Sequence, residues 1–456
     1  MSDSEETSLL PAQADHDLIY QRYSRAEKRF LVAVVSCSLE AFVSGTFLPS
    51  IPQIAAELQT TGATVSYAVS LSVLATFIGP LIGTAYAAYY GKRVVYLVGF
   101  PVSIAGSLGV WYARTVPQLM FWRFFQSAGA APGMALGAGV IGDIYKLEER
   151  GTALGIFFGA TLVGPALAPF VGGFTTHYFS WRILQLGLGV FALIGFIFVL
   201  FAFTETSHPG ALKIESLEPN SRPRWRPVLI NPLAPLGLLR SPSLFALTMV
   251  GLVVLLTDYV LLVPLAYTIG IRYNIRNEAL LGACYLPSGL GNIVGAPVAG
   301  GLSDRVVKKW KSKRGFLYPE DRLRACFIGA SVLVPLSILL SGLSIRYIPG
   351  PIGLVLNLLF LFMNGFGVDM VLGPSAAYIV DILQTRSAEA MAANSGLRAF
   401  LLSFAVAGIL PMINAYGIVL TNLISALLAW AGLGLLVIII KHGERMRKWV
   451  DVGYSI

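Results

Sequence analysis

Long apolar stretches alternate with short polar segments along the chain, and each stretch has the length of a membrane-crossing helix. About 20 apolar residues are needed to cross the hydrocarbon core of a bilayer. A polar linker over 204–241 separates six stretches from six more, and polar tails occupy 1–29 and 441–456. We therefore predict an all-α integral membrane protein with two pseudo-symmetric six-helix bundles, over 30–203 and 242–440. The predicted spans 1 to 12 lie near 30–50, 65–87, 94–112, 117–142, 152–174, 183–203, 243–268, 279–302, 325–345, 351–380, 391–412 and 417–440.

The distribution of charge predicts the orientation of these spans. Only 12% of the residues are charged, against about 25% in ordinary globular chains. Of the Lys and Arg residues, 26 fall in the tails, the linker and the loops on the side of both termini, and 5 fall in the opposite loops. The positive-inside rule then places both termini in the cytosol. Because the net charge of +9 follows the topology, it does not indicate nucleic-acid binding. We expect a plasma-membrane protein, with the vacuolar membrane as the alternative.

Cysteine and histidine residues suggest no chemistry of their own. Cys37, Cys284 and Cys326 all lie in apolar segments, which favours neither a disulfide framework nor a metal site. The four His residues lack ligand spacing, and the sequence shows no nucleotide-binding loop. We therefore predict no metal, no cofactor and no enzymatic activity, although an integral-membrane enzyme remains the remote alternative. A channel or receptor is disfavoured by the repeat described below.

The predicted fifth span carries a stripe of small residues. On an ideal helix, Gly155, Gly159, Ala166, Pro169 and Gly173 fall near one line. Such a stripe lets another backbone pack closely or slide, and lipid-embedded helices tolerate the glycines and prolines that it contains.

The end of this span resembles a known motif. GATLVGPALAPFVGG, residues 159–173, is similar to the fifth-helix antiporter motif GPxxxPxxGG of the drug:proton antiporters in the major facilitator superfamily. The matching residues are Gly164, Pro165, Pro169, Gly172 and Gly173, with Gly159 at the start of the segment. The alternative interpretation is an ordinary small-residue helix interface with no link to antiport.

The two halves of the chain repeat their linker-side loops. The segment around Asp143 resembles the segment around Asp381, and residues 84–93 correspond to 300–309. Such a repeat is expected of a major facilitator protein, with substrate between the halves.

The repeated loops resemble the GxxxDRxGRR signature of the major facilitator superfamily, and this resemblance implies an inner gate. The first copy keeps Gly91, Lys92 and Arg93 but has Ala88 in place of the acid; the second keeps Gly300, Asp304 and Arg305. Either another acid replaces the missing one, or the inner gate relies more on the second copy.

Several charged residues lie inside predicted spans, where an unpaired charge is costly. FWRFFQ in span 4 resembles the family motif RxxQG, with Arg123 and Gln126 matching. Arg123 is a candidate for proton coupling or for holding an anionic group; the alternative is an arginine that reaches the lipid interface. Glu40, Asp258 and Asp369 lie near the middle of spans 1, 7 and 10 and are the candidate proton carriers. The alternative is that one or two of them are neutral or salt-bridged acids with a structural role.

Span 11 adds a polar pair, and further resemblances flank the spans. Asn394 and Arg398 are spaced i and i+4 on one helix face. They resemble an N-x-x-x-R pattern of fungal drug:proton antiporters. The TET segment at 204–206 and YPEDRL at 318–323 also resemble flanking motifs of that family.

The resemblance to fungal twelve-spanner drug:proton antiporters implies alternating-access export of a small organic molecule or drug in exchange for protons, hence a role in multidrug resistance. The alternative within transport is a dedicated exporter of one metabolite, such as an organic acid, a secondary metabolite or a polyamine. Arginines 123 and 398 would suit an anion, whereas the three acids would suit a cation. The expected partners are this substrate, protons and the lipid bilayer, with the protein working as a monomer.

Overall fold

The structure is a computed structural model, and all regular structure in the residues that it describes is helical. It describes residues 24, 27–28, 31, 40–145, 150–207, 231–275, 277–316, 318–383, 387–450, 452 and 454. Within these ranges the description covers only the backbone at 40–41, 134, 138, 142, 150–156, 158–163, 165 and 387–388.

The helices follow the predicted spans, and we keep the numbering 1 to 12. Span 1 is described as Glu40–Gly45, a short turn Leu48–Ser50 and Ile51–Glu57. The other spans of the first half are Gly62–Tyr90 (span 2), Lys92–Tyr112 (span 3), Val116–Ala130 with Pro132–Ile144 (span 4), Arg150–Tyr178 (span 5) and Trp181–Ala202 (span 6).

The second half has the same number of spans. They are Pro242–Leu262 with Ala266–Gly270 (span 7), Glu278–Ala283 with Leu286–Arg314 (span 8), Pro319–Cys326, Gly329–Leu333 and Val334–Tyr347 (span 9), Gly350–Ile382 (span 10), Ser387–Tyr416 (span 11) and Ile418–Trp449 (span 12). Spans 8 and 12 continue well past their predicted ends at 302 and 440.

Nine helices in the described residues are long and apolar enough to cross a membrane; they correspond to spans 2, 3 and 6 to 12. Span 1 is described only in part, span 4 is divided at Ala131, and many side chains of span 5 lie outside the description. The outer surface of span 6 is apolar, and Phe201 is 81% exposed, as expected for a helix that faces lipid.

Local sequence explains where several spans begin. Thr61, Thr115 and Ser180 each accept a hydrogen bond from the backbone N–H three residues later, which satisfies a helix start. Asn277 caps the first turn of span 8 in the same way. Gly91 separates spans 2 and 3 with φ +98°, a conformation that favours glycine.

The buried core divides along the membrane normal. We call the side of the 204–241 linker the linker side and the opposite side the far side. On the far side, one apolar cluster contains residues of both halves, such as Phe47, Trp181, Leu265 and Ile338. On the linker side, each half has its own cluster in the described residues. The halves are therefore packed together at the far side.

Candidate functional site

Two pairs of helices make most of the contact between the described parts of the halves. Span 2 packs against span 11, where the rings of Phe77 and Phe400 lie 5.3 Å apart and Ser70 donates a hydrogen bond to the carbonyl of Ser403. Span 5 packs against span 8. These contacts lie between the middle of the spans and the far side, so they close the interface between the halves at that end.

The small-residue stripe of span 5 lies in this interface over its described part. Ala166 packs against Gly289, and Gly173 packs against Gly282, both on span 8. A Cβ atom on Gly282 would lie only 2.7 Å from the carbonyl oxygen of Pro169. The prediction of close backbone packing is confirmed for these residues; Gly155 and Gly159 fall outside the described side chains.

The other face of the same helix packs on span 1. A Cβ atom on Gly172 would lie 2.8 Å from Cα of Thr46, and one on Gly45 would lie 3.2 Å from Cδ of Pro169. Gly164 is buried, and the side chain of Pro165 is not described. The antiporter-motif residues therefore fix span 5 between span 1 of its own half and span 8 of the other half.

A polar contact also joins the halves at the far side. Nδ1 of His177 on span 5 lies 2.8 Å from Oε2 of Glu278 at the start of span 8. The side-chain amide of Asn277 lies 3.3 Å from Nε2 of the same histidine. Both charged side chains are about one third exposed, so the contact is open to solvent.

Asp258 and Asp369 lie within electrostatic range of each other in the second half, which the sequence alone could not show. We call them the carboxylate pair. Ser288 on span 8 donates a 3.1 Å hydrogen bond to Oδ1 of Asp258. Asp369 on span 10 interacts electrostatically with Asp258, and its Oδ2 atom is buried without a hydrogen-bond partner in the described residues. The pair thus connects spans 7, 8 and 10.

Small and polar residues bring the helices of the carboxylate pair close. Gly365 lies one turn from Asp369 on span 10, and a Cβ atom there would lie 2.9 Å from Oδ1 of Asn292. That oxygen is buried and has no hydrogen-bond partner in the described part of the chain. Together with the free oxygen of Asp369, it leaves two polar atoms in the membrane interior available to a ligand or to water.

Arg398 lies nearer the linker side than the carboxylate pair. A Cβ atom on Gly251 would lie 3.1 Å from its Nη1 atom, and Gly251 is two turns, about 10 Å, from Asp258 along span 7. The guanidinium has neither an ion pair nor a hydrogen bond to any described residue. Asn394, one turn earlier on span 11, accepts a 2.9 Å hydrogen bond from Thr248. The predicted shared face of Asn394 and Arg398 therefore packs on span 7.

Arg123 is placed differently, because it is fully buried inside the first half. Its guanidinium donates to Oε1 of Gln126 at 2.7 Å and to the carbonyl of Val43 at 2.5 Å, and it lies over the ring of Phe47. Gln126 donates in turn to Ser107 and Gln185. This network ties spans 1, 3, 4 and 6 together. The alternative of an arginine reaching the lipid interface is wrong, since no part of the side chain is exposed.

Glu40 begins the described part of span 1, three residues before Val43. Its side chain lies outside the described residues, so its prediction as a proton carrier stays a prediction.

On the linker side of the first half, where Ala88 stands in place of the motif's acid, Glu205 supplies a carboxylate to the turn that follows. The carboxylate of Glu205 accepts the backbone N–H groups of Lys92 at 3.1 Å and Arg93 at 2.9 Å. It lies against Gly91, where any Cβ atom would collide with it. The ammonium of Lys92 pairs with Asp143 at 2.5 Å. These contacts all stay within the first half.

The matching cluster of the second half is built on Arg322. It donates to Asp381 at 2.7 Å and to Asp304 at 3.1 Å. Arg305 and Gly300 are exposed, and a Cβ atom on Gly300 would meet open space. Ion pairs between described residues at the linker side thus join members of the same half, as expected when the halves are apart there.

Sequence reasoning missed four of the residues that complete these sites. Glu205 and Arg322 lie in the TET and YPEDRL segments, whose resemblance to flanking motifs was the available signal. Ser288 and Glu278 gave no signal, because a single serine or a loop glutamate is common in any membrane protein.

Comparison with known proteins identifies the family. A family model described as Major Facilitator Superfamily matches residues 33–411. Efflux pump radE of Floropilus chiversii is 26% identical, covering 89% of this chain and 78% of that protein. MFS-type transporter atr4 of Stereocaulon alpinum is 30% identical, over 92% of this chain and 78% of that protein. MFS antiporter QDR3 of Candida albicans is 23% identical, over 93% of this chain and 78% of that protein.

A solved structure shows the same fold. The bacterial homolog of the human lysosomal transporter Spinster superposes with a TM-score of 0.69 and 12% sequence identity, covering 94% of this chain and 100% of that one. The chain therefore belongs to the major facilitator superfamily, a family of secondary transporters and not of enzymes.

Proposed function

We propose that this transporter is a proton-coupled antiporter of the drug:proton antiporter branch and exports a small organic molecule. The observation that carries the proposal is the carboxylate pair, Asp258 and Asp369, with its unpartnered buried oxygen. The relatives named as an efflux pump and an antiporter favour the same direction and coupling.

The carboxylate pair suits proton exchange for an electrostatic reason. Two neighbouring carboxylates repel each other when both are ionised, and little water is present in the membrane interior to screen them. A proton or a substrate cation bound to the pair relieves that repulsion. Binding of one therefore competes with binding of the other, and this competition is the requirement for antiport.

The arrangement of the halves supports alternating access with a cytosolic linker side. The halves pack together at the far side, so a substrate would reach the carboxylate pair and Arg398 from the linker side. The excess of Lys and Arg on the linker side orients that side, with both termini, toward the cytosol. The substrate would bind from the cytosol, leave when the far side opens, and be replaced by protons from outside. The plasma membrane is the location that we propose, and the vacuolar membrane, whose outer face is also cytosolic, is the alternative.

Arg398 bears on the charge of the substrate. It lacks an acidic partner among the described residues, whereas Arg123 is enclosed in its own network. A cation without an acidic partner, on the linker side of two acids, favours a substrate with both a basic and an acidic or strongly polar group. A dedicated exporter of one metabolite carrying an acid group is the second candidate, and the same arginine favours it.

Reconstituted transport tests the proposal. We would compare Asp258→Asn and Asp369→Asn with wild type in proteoliposomes, using a cationic, a neutral and an anionic probe dye. At least one variant should lose dye movement driven by a pH gradient while keeping dye–dye counterflow. Glu57→Gln, a carboxylate change at the far-side surface, is the control and should keep both activities. Normal pH-driven flux in both variants would reject this proton site.

A further inference from the structure

We infer that the linker-side end of span 8 binds anionic phospholipid headgroups. The surface consists of five exposed cations, Arg305, Lys308, Lys309, Lys311 and Lys313, and we call it the basic extension. Apart from Arg305, which the loop signature assigns to the inner gate, it is a part of the molecule that the proposed transport cycle does not use.

The length of span 8 places the basic extension at headgroup level. The helix Leu286–Arg314 has 29 residues, or about 43 Å at 1.5 Å per residue, against a hydrocarbon core of about 30 Å. Its apolar part ends at Leu302. The following three turns must therefore project into the interfacial layer, where lipid phosphates and carboxylates lie.

None of the five cations is neutralised by a described carboxylate. Asp304, the acid next to them in the chain, accepts from Arg322 instead. Asp321, in the following loop, pairs with Arg314 and Arg324. The nearest described acids are thus occupied by other arginines, and no carboxylate among the described residues neutralises the basic extension.

Packing directs these cations outward. Val306, Val307 and Trp310 form the half-buried face of the same helix. The indole ring of Trp310 lies 4.8 Å from the guanidinium of Arg314 and 4.1 Å from that of Arg324. The ammonium of Lys313 also lies over this ring, 5.4 Å from its centroid. These contacts hold the helix end against the loop that follows, and the other four cations lie on the remaining, exposed faces of the helix.

The first half shows that the fold does not require such a surface. The equivalent helix, span 2, ends at Tyr90, and Gly91 turns the chain at once. Of the two cations that follow, Lys92 pairs with Asp143 and Arg93 donates to the carbonyl of Leu200. The basic extension is therefore an addition to the second half alone. Clusters of four to eight Lys and Arg beside a transmembrane helix attract anionic lipids.

The test compares two sets of charge changes on the same side of the membrane. The test variant is Lys308→Gln/Lys309→Gln/Lys311→Gln, and the matched control is Lys441→Gln/Arg445→Gln/Lys448→Gln at the exposed end of span 12. Each full-length protein would be purified in neutral detergent with equal amounts of phosphatidylserine and phosphatidylcholine. The retained lipids would then be counted by mass spectrometry, and thermal stability would be measured without lipid.

We expect wild type and the control to retain phosphatidylserine in preference to phosphatidylcholine. In the test variant, the ratio of retained phosphatidylserine to phosphatidylcholine should fall about tenfold. Lys308→Arg/Lys309→Arg/Lys311→Arg should keep it, because the charge is preserved. An unchanged preference in the test variant, an equal loss in the control, or failure of the arginine variant to retain the lipid would overturn the proposal. So would displacement of the lipid by soluble glycerophosphate at equal concentration, which would indicate a site for free anions. If the triple variant is less thermally stable than wild type in the absence of lipid, the double variant Lys308→Gln/Lys311→Gln would take its place. The same results would then support or overturn the proposal.

Discussion

His177 and Glu278 form a hydrogen-bonded contact between the two halves, with Nδ1 and Oε2 separated by 2.8 Å at the far side. The ion pairs of Lys and Arg with acids among the described residues join members of one half. The charge on the histidine depends on its protonation, but the hydrogen bond forms in either state with the suitable tautomer. This contact is therefore placed to stabilise the far-side-closed arrangement.

We predict that Glu278→Ala shifts the protein toward the far-side-open arrangement. A partly exposed contact of this kind is worth about 1 kcal/mol or less, so the shift should be up to about fivefold. Accessibility of the native Cys284, which is buried in the far-side cluster, to a membrane-impermeant reagent from the far side would measure it. Glu57→Ala is the matched control, because Glu57 pairs with Arg182 on the same side but within the first half. Equal accessibility in the two variants would show that the contact between the halves has no role in closure.

A second prediction concerns a larger side chain in the close contact between spans 5 and 8. Gly289→Leu should prevent far-side closure, because the added side chain would occupy the position of Ala166. Transport should fall at least tenfold at equal protein abundance. Gly301→Leu on the same helix should transport normally, since its Cβ atom would meet open space. Uptake into cells or proteoliposomes, normalised to surface protein, checks both. A normal rate for Gly289→Leu would mean that the two backbones separate readily at this point.

The sequence was sufficient for the fold because its signals are local. Hydrophobic length predicted the spans, and the placement of small residues on span 5 predicted a close contact. These local signals do not show which residues of different helices contact each other. The electrostatic interaction of Asp258 with Asp369 depends on how spans 7, 8 and 10 pack, and residues 111 positions apart carry no mutual signal in one sequence. Arg123 and Arg398 also looked alike as cations within spans, although one is enclosed and the other is free.

The carboxylate that Glu205 supplies to the turn after Ala88 leads to a third prediction. Glu205→Gln should destabilise the turn between spans 2 and 3, because it weakens two hydrogen bonds from backbone N–H groups to a charged acceptor. Such bonds are worth about 1.5–3 kcal/mol each, so we expect a loss of about 2 kcal/mol. Asp304→Asn should cost less, since Arg322 keeps its contact with Asp381. Thermal unfolding in detergent would rank the two variants, and a larger loss for Asp304→Asn would reverse our assignment of the more important acid.

The two arginines inside spans should respond to substitution in opposite ways. Removing Arg123 leaves the buried carbonyl of Val43 and the side chain of Gln126 without their donor, and an unsatisfied buried group costs about 1–3 kcal/mol. Arg123→Met should therefore lower thermal stability and protein abundance by a corresponding amount. Arg398 has no described hydrogen bond or ion pair to lose, so Arg398→Met should leave stability within about 1 kcal/mol of wild type. It should instead reduce transport of the anionic probe more than that of the cationic probe. Measuring unfolding temperature and probe flux for both variants separates the roles. If Arg398→Met unfolds as readily as Arg123→Met, the arginine of span 11 serves the fold and the substrate must be recognised by the carboxylate pair alone.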